Sequence, residues 1–97
     1  MQFQWDPSKA ESNIKKHDVS FDEAVTVFKD PLAMIFDDTA HSEREFREII
    51  IGMSTLRKML LVCFVEKQED IIRIISARPA TKTEIKDYEK NARSKVK

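Results

Sequence analysis

Polar and apolar positions divide this chain into a helical beginning, a strand-rich middle and a helical end. Asp6-Pro7 places a carboxylate at an N-cap with proline at the first helical position, which predicts a short helix running to about His17. Ser20-Phe21-Asp22-Glu23 reads as a capping box, with Val19 and Ala24 placed as a hydrophobic staple, and opens a second helix through Phe28 that Asp30-Pro31 ends. Thr81-Lys82-Thr83-Glu84, flanked by Ala80 and Ile85, opens a third through about Asn91, leaving Ser94 to Lys97 as a frayed end.

Between Leu32 and Arg78 the pattern is that of strands. Leu32 to Asp37 is short, and Arg44 to Gly52 alternates Phe46, Glu48 and Ile50 against Arg47, Ile49 and Ile51. Leu56-Arg57-Lys58 marks a hairpin after the only glycine. Met59 to Val65 is apolar throughout, as expected of a central strand covered on both faces. Lys67 to Asp70 is a polar turn into a last strand, Ile71 to Arg78, and Phe3 with Trp5 suggests a further edge strand. The predicted order is β-α-α-β-β-β-β-α. It describes an α+β fold, a twisted, mainly antiparallel sheet with two N-terminal helices and one C-terminal helix. Ninety-seven residues suit a single domain over residues 1–97.

Composition removes several function classes. A single glycine leaves no glycine-rich phosphate loop, so P-loop and dinucleotide-binding domains are excluded. The 17 basic and 17 acidic residues cancel, which is unlike the overall basic excess of a typical nucleic-acid binder. Their distribution is uneven: from Ile71 onward eight basic residues face three acidic ones, whereas the first seventy carry nine against fourteen. One face for a polyanion and another for a basic partner would account for this, and a solvated helix face accounts for part of it equally. Cys63 stands alone within an apolar run and reads as a small buried hydrophobe. That run is too short to span a bilayer and no signal-peptide pattern opens the chain, so a cytoplasmic protein without membrane association is expected. Two widely separated histidines and one cysteine form no recognisable metal site, and neither metal nor cofactor is expected.

The segment Arg73-Ile74-Ile75-Ser76-Ala77-Arg78 carries the strongest chemical signal. It leads an apolar strand with two arginines into a capped helix, a junction where guanidinium and backbone N–H groups can converge on a phosphate. The competing reading is that both arginines pair with surface carboxylates. Strict alternation places Arg73 and Arg78 on opposite faces, so they share a site only if a bulge intervenes.

With those features in hand, the chain resembles the BrnT family of toxins. Trp5-Asp6-Pro7, Lys9, Asn13, Lys16-His17, Val19-Ser20-Phe21, Glu23-Ala24, Phe28 and Asp30-Pro31 carry the likeness, continued by Asp37, His41, Glu43, Arg44, Gly52 and Ser54. Arg73 to Arg78, Ala80-Thr81, Glu84 and Tyr88 complete it, and Glu66, Lys67 and Pro79 depart from the pattern. The resemblance implies a RelE-like fold and a type II toxin-antitoxin toxin acting as a ribonuclease. It also implies a cognate antitoxin that binds DNA, with a ribbon-helix-helix protein expected, so that DNA is met only through the complex.

Metal-independent RNA cleavage needs a base for the 2′-hydroxyl proton, cations for charge developing on phosphorus, and an acid for the leaving 5′-oxygen. His17 and His41 are the candidates for proton transfer, and Arg44, Arg73 and Arg78 complete the expected catalytic set. His17, ending the basic run Lys15-Lys16-His17, reads equally well as a helix C-terminal cap. Lys9, Lys15, Lys16, Arg57, Lys82 and Tyr88 are candidates for holding RNA, although for the tyrosine a core role is favoured over that one. Arg78 is favoured as the phosphate ligand. The alternative function is a non-catalytic subunit that holds a partner and modulates DNA binding by the complex.

Overall fold

The computed structural model describes residues 1–42 and 45–95 of the chain. Its elements are β1 (Gln2–Gln4), α1 (Pro7–His17), α2 (Phe21–Thr26) continued by a 3-10 turn (Val27–Lys29), β2 (Met34–Asp37), β3 (Glu48–Met53), β4 (Met59–Gln68), β5 (Ile71–Pro79) and α3 (Lys82–Lys95). A second 3-10 turn, Thr39–His41, follows β2. The strands form one mixed sheet in the order β1-β5-β4-β3-β2, antiparallel except for the β1–β5 pair. The apolar run Met59 to Val65 therefore lies in the middle strand, covered fully on one face and in part on the other.

The helix starts form as their residues dictate. Asp6 accepts from the Ser8 N–H at 2.8 Å and Pro7 supplies the first helical residue. Thr81 and Glu84 exchange both bonds of a capping box, Glu84 accepting from the Thr81 N–H at 2.8 Å and Thr81 Oγ1 from the Glu84 N–H at 3.2 Å. Only half of the expected box forms at α2. Ser20 Oγ accepts from the Glu23 N–H at 3.0 Å, but the buried Glu23 carboxylate accepts instead from Ser54 Oγ at 2.7 Å, tying the β3–β4 turn to α2.

Other boundaries differ from expectation: β2 starts at Met34 rather than Leu32, and β4 runs on to Gln68, taking in Lys67 and Gln68 of the expected turn. β3 starts at Glu48 because Ser42 Oγ accepts from the Arg47 N–H at 3.0 Å and the Arg47 carbonyl accepts from the Asp38 N–H, which keeps Glu45 to Arg47 out of the strand. α3 reaches Lys95, past Asn91, because Tyr88 and Ala92 stay buried one turn apart. Val96 and Lys97, part of the expected frayed end, lie outside the described residues.

The sheet has two unlike faces. On one, α1 and α2 cover the main core, in which Phe21, Val27, Ile50, Leu60, Val62 and Ile74 are almost wholly buried. Each such side chain contributes about 1.5–3 kcal/mol of burial. On the other face α3 covers only part of the sheet, packing Tyr88 against Ile51 and Leu61. Tyr88 also donates to Asp30 Oδ2 at 2.7 Å, and the Met53 N–H donates to the same oxygen at 2.9 Å. Gly52 is required beside this node, because a Cβ there would lie 3.0 Å from both Ala33 and Val27 and 3.1 Å from Asp30 Oδ2. What α3 leaves uncovered is a cleft.

Candidate active site

The floor of the cleft follows from strand register. Arg78 pairs with Leu61, Leu61 with Ile51 and Ile51 with Met34, giving one row of side chains across β5, β4, β3 and β2. The next row is Ser76, Cys63, Ile49 and Phe36. α3 packs over the first row, and the cleft, of about 460 Å³, opens over the second. His17 and His41 border it, and so do Arg78 and Glu84.

Asn13 brings α1 to this place. β1 covers β5 only from Ile71 to Arg73, so farther along that edge the backbone of Ala77 needs another partner. The buried Asn13 amide supplies it, accepting from the Ala77 N–H at 3.1 Å and donating to the Ala77 carbonyl at 2.8 Å. It donates to the Val19 carbonyl as well, at 2.9 Å. A side-chain amide thus stands in for a strand neighbour. Four residues later α1 ends, with Asp18 in the left-handed region at φ 56° and its N–H donating to Ile14, which sets His17 at the cleft border.

His41 arrives from the opposite side, on the 3-10 turn after β2. Its Nδ1 lies 3.2 Å from both carboxylate oxygens of Asp38. The Asp38 side chain is only 8% exposed while that of His41 is 69% exposed, so a buried carboxylate orients an open imidazole. With Nδ1–H given to Asp38, Nε2 is the atom left for proton transfer. Cys63 donates to the same carboxylate at 3.7 Å, and burial pushes its thiol above the ordinary value, so it remains protonated near neutrality.

Arg78 is held as a rigid fork. Its two terminal nitrogens each donate to one oxygen of Glu84 at 2.9 Å, and one donates to the Pro79 carbonyl at 3.2 Å. The Arg78 bonds hold the Glu84 carboxyl down at about 2, with the Thr81 N–H adding to them, and Glu84 in turn raises Arg78 further. The pair has a definite pH signature. A carboxyl depressed from 4.5 to about 2 contributes stability that is present above pH 4.5 and drains away as the pH falls toward 2. Allowing for solvent screening, the loss should be about 1–2 kcal/mol. Thermal unfolding of the wild type should show this acid limb, and Glu84→Gln should lose Glu84's share of it. The limb from Asp30, whose partial burial is outweighed by the hydrogen bonds that also hold it low, remains.

The register also settles where Arg73 lies. Cys63 pairs with Ser76 but Phe64 with Ile74, so Ile75 is an extra residue in β5, a bulge. Arg78 opposite Leu61 and Arg73 opposite Val65 consequently share a face, contrary to strict alternation. They stand roughly 13 Å apart along the strand, and Arg73 does not line the cleft. Arg44 lies outside the described residues.

The expected RNA-holding residues also separate. Lys9 and Lys16 line a second groove with Ser12, His17 and Ser76, which adjoins the cleft at the last two. Lys15 pairs with Glu11 at 3.6 Å, and Arg57 occupies a left-handed position, φ 65°, in the β3–β4 turn. Lys82 is exposed in the first turn of α3. Tyr88 is buried, and burial together with Asp30 pushes its hydroxyl up to about 12, keeping it a donor to that carboxylate. None of these four lines the cleft. Asp38 and Phe36 do, and sequence reasoning did not single them out. The available signals were the three-residue spacing of Asp38 and His41 and the shared strand parity of Phe36 and Met34.

Among the described residues, no group of three or more His, Cys, Asp or Glu side chains is arranged to hold a metal ion. No helix there is long and apolar enough to cross a membrane. No curated protein matches the chain. A solved structure does: the Brucella abortus ribonuclease toxin BrnT, a crystal structure at 1.1 Å resolution, superposes with a TM-score of 0.65 at 24% identity, covering 84% of this chain and 99% of that one. This likeness carries the fold. The family model for BrnT, described as the ribonuclease toxin of a type II toxin-antitoxin system, matches residues 5–84. With four-fifths of its length accounted for in this way, the chain belongs to the BrnT family of ribonuclease toxins.

Proposed function

We propose that this chain is a metal-independent endoribonuclease with a RelE-like single domain, which arrests translation and growth in the cytoplasm until a cognate antitoxin covers its cleft. The observation that carries this reading is the convergence of His17, His41 and Arg78, from three separate elements, on one cleft. His17 enters from the β5 side and His41 from the β2 side, so a phosphodiester between them has a proton-transfer group on either hand. One imidazole takes the 2′-hydroxyl proton, the 2′-oxygen attacks phosphorus, and the other imidazole protonates the departing 5′-oxygen. Arg78 stabilises the charge that builds on the phosphoryl oxygens. The products are a 2′,3′-cyclic phosphate and a 5′-hydroxyl.

The Lys9–Lys16 groove continues from the cleft and suits the adjoining RNA backbone. An antitoxin presenting acidic side chains to the same groups would silence the enzyme, and a ribbon-helix-helix antitoxin would bring DNA to the complex without any DNA contact by this chain.

Purified protein incubated with single-stranded RNA in the presence of EDTA tests the reading. Cleavage with cyclic-phosphate ends is expected, slowed by about 10²- to 10⁴-fold in His41→Ala and markedly in Asp38→Asn, which keeps the shape but loses the orienting charge. Equal cleavage by His17→Ala, His41→Ala and wild type would refute it. Separate elution from the neighbouring gene product on size-exclusion chromatography at micromolar concentration would count against the antitoxin.

A further inference from the structure

Among the described residues, Phe36 is the large apolar side chain that is both well exposed and part of the cleft lining. It lies at the edge-strand end of the Ser76-Cys63-Ile49-Phe36 row, two residues beyond Met34. Met34 packs into the smaller core with Leu61 and Ile51, whereas Phe36 is 41% exposed and lines the cleft. Around it the cleft is lined by apolar Ile49, Leu61, Cys63 and Ala77 from the sheet and by Asp38, His41, Arg78 and Glu84. Phe36 and this small floor, interrupted by two carboxylates and a guanidinium, do not make the broad apolar patch that a protein partner needs. They do make half of a nucleotide site, with cations and imidazoles for the phosphate and a flat π-face for the base.

We propose that Phe36 is the base platform of this cleft, on which the unpaired nucleobase beside the scissile phosphate of a single-stranded RNA stacks. The proposal rests on the RNA-cleavage reading and adds to it a subsite and a source of selectivity. Phe36 has no hydroxyl or ring N–H, so it offers no hydrogen bond to a base edge. Stacking therefore sets the preference, and the larger surface of a purine is favoured over a pyrimidine at that position. The backbone on the other side of the phosphate leaves past Ser76 toward Lys9 and Lys16, so the strand crosses the sheet along the row, with its base at the β2 edge and its next phosphate against α1.

The test uses a short single-stranded RNA made uncleavable by 2′-O-methylation and carrying the fluorescent base 2-aminopurine at successive positions. Wild type and Phe36→Tyr should quench one position strongly. Phe36→Leu, at an exposed site and with an unchanged melting temperature, should lose that quenching and bind roughly tenfold more weakly. On cleavable RNA the same variant should raise KM, leave kcat nearly unchanged and lose the purine preference. Unchanged quenching and KM in Phe36→Leu, with cleavage intact, would overturn the base platform and leave the cleavage reading standing. Weaker antitoxin binding with RNA binding unaffected would also overturn it, in favour of a protein contact. Quenching that depends on Phe36 in a protein that never cleaves would support the platform and overturn the cleavage reading, and a wild type that binds no RNA overturns both.

Discussion

Arg78→Ala is expected to slow RNA cleavage by roughly a hundred- to a thousandfold, the usual cost of about 2.7–4 kcal/mol for removing a donor aimed at transition-state charge. The free protein already shows what kind of ligand this arginine takes. Its fork holds a carboxylate, Glu84, in bidentate geometry, and that carboxylate also accepts from the Thr81 N–H at the start of α3. A phosphoryl group presents the same paired oxygens. The bonds to Glu84 and Pro79 use three of the five guanidinium donors, so the plane stays fixed while the remainder can address an anion in the cleft. Arg78→Lys keeps the charge but not the fork and should restore little activity. Stability should fall by only about 1 kcal/mol in Arg78→Ala, because the pair is partly exposed and the Thr81–Glu84 capping box remains. Single-turnover cleavage measured beside thermal unfolding checks both statements. Wild-type cleavage by Arg78→Ala would make the Arg78–Glu84 pair purely structural and move the search to His41 and its surroundings.

Much of the fold was legible because local signals agreed with one another. The Asp6-Pro7 start, the Thr81–Glu84 box and the continuous apolar run of β4 each specify an element without outside help. Details failed where a side chain took a partner outside its expected element. Glu23 left its own box for Ser54, thirty-one residues away, and Ser42 held Arg47 out of β3. The site was less legible than the fold for the same reason. Arg78 stood out through its neighbours in sequence, but the facing of Arg73 depended on the bulge at Ile75, which exists only as register against β4. Asp38 was visible only as one residue of a polar loop until the 3-10 turn set it beneath His41. Phe36 was indistinguishable from a core residue, because its exposure follows from how far α3 extends over the sheet. Lys15 and Lys16 are adjacent in sequence, yet one pairs with Glu11 and the other lines the groove.

Asn13→Leu should be the most damaging single change to the fold outside the apolar core. Leucine keeps the branching of asparagine at Cγ and is larger, so it leaves no cavity, and the loss combines the amide's hydrogen bonds with some crowding. Three would go at once: from the Ala77 N–H, to the Ala77 carbonyl and to the Val19 carbonyl. All three are buried, and each backbone group left without a partner costs about 1–3 kcal/mol. A destabilisation of about 3–5 kcal/mol follows, a large share of the roughly 5–15 kcal/mol by which small domains are stable. Asn13→Asp should be nearly as damaging, since a carboxylate can accept from Ala77 but cannot donate to either carbonyl. Activity should fall for a separate reason. α1 would lose its tie to β5 and His17 its place at the cleft border, while Asp38, His41 and the Arg78–Glu84 pair stay anchored by contacts of their own. Denaturant unfolding and cleavage by the fraction still folded separate the two effects. A loss below about 1 kcal/mol would show that another group satisfies the Ala77 backbone and that α1 does not depend on Asn13 for its position.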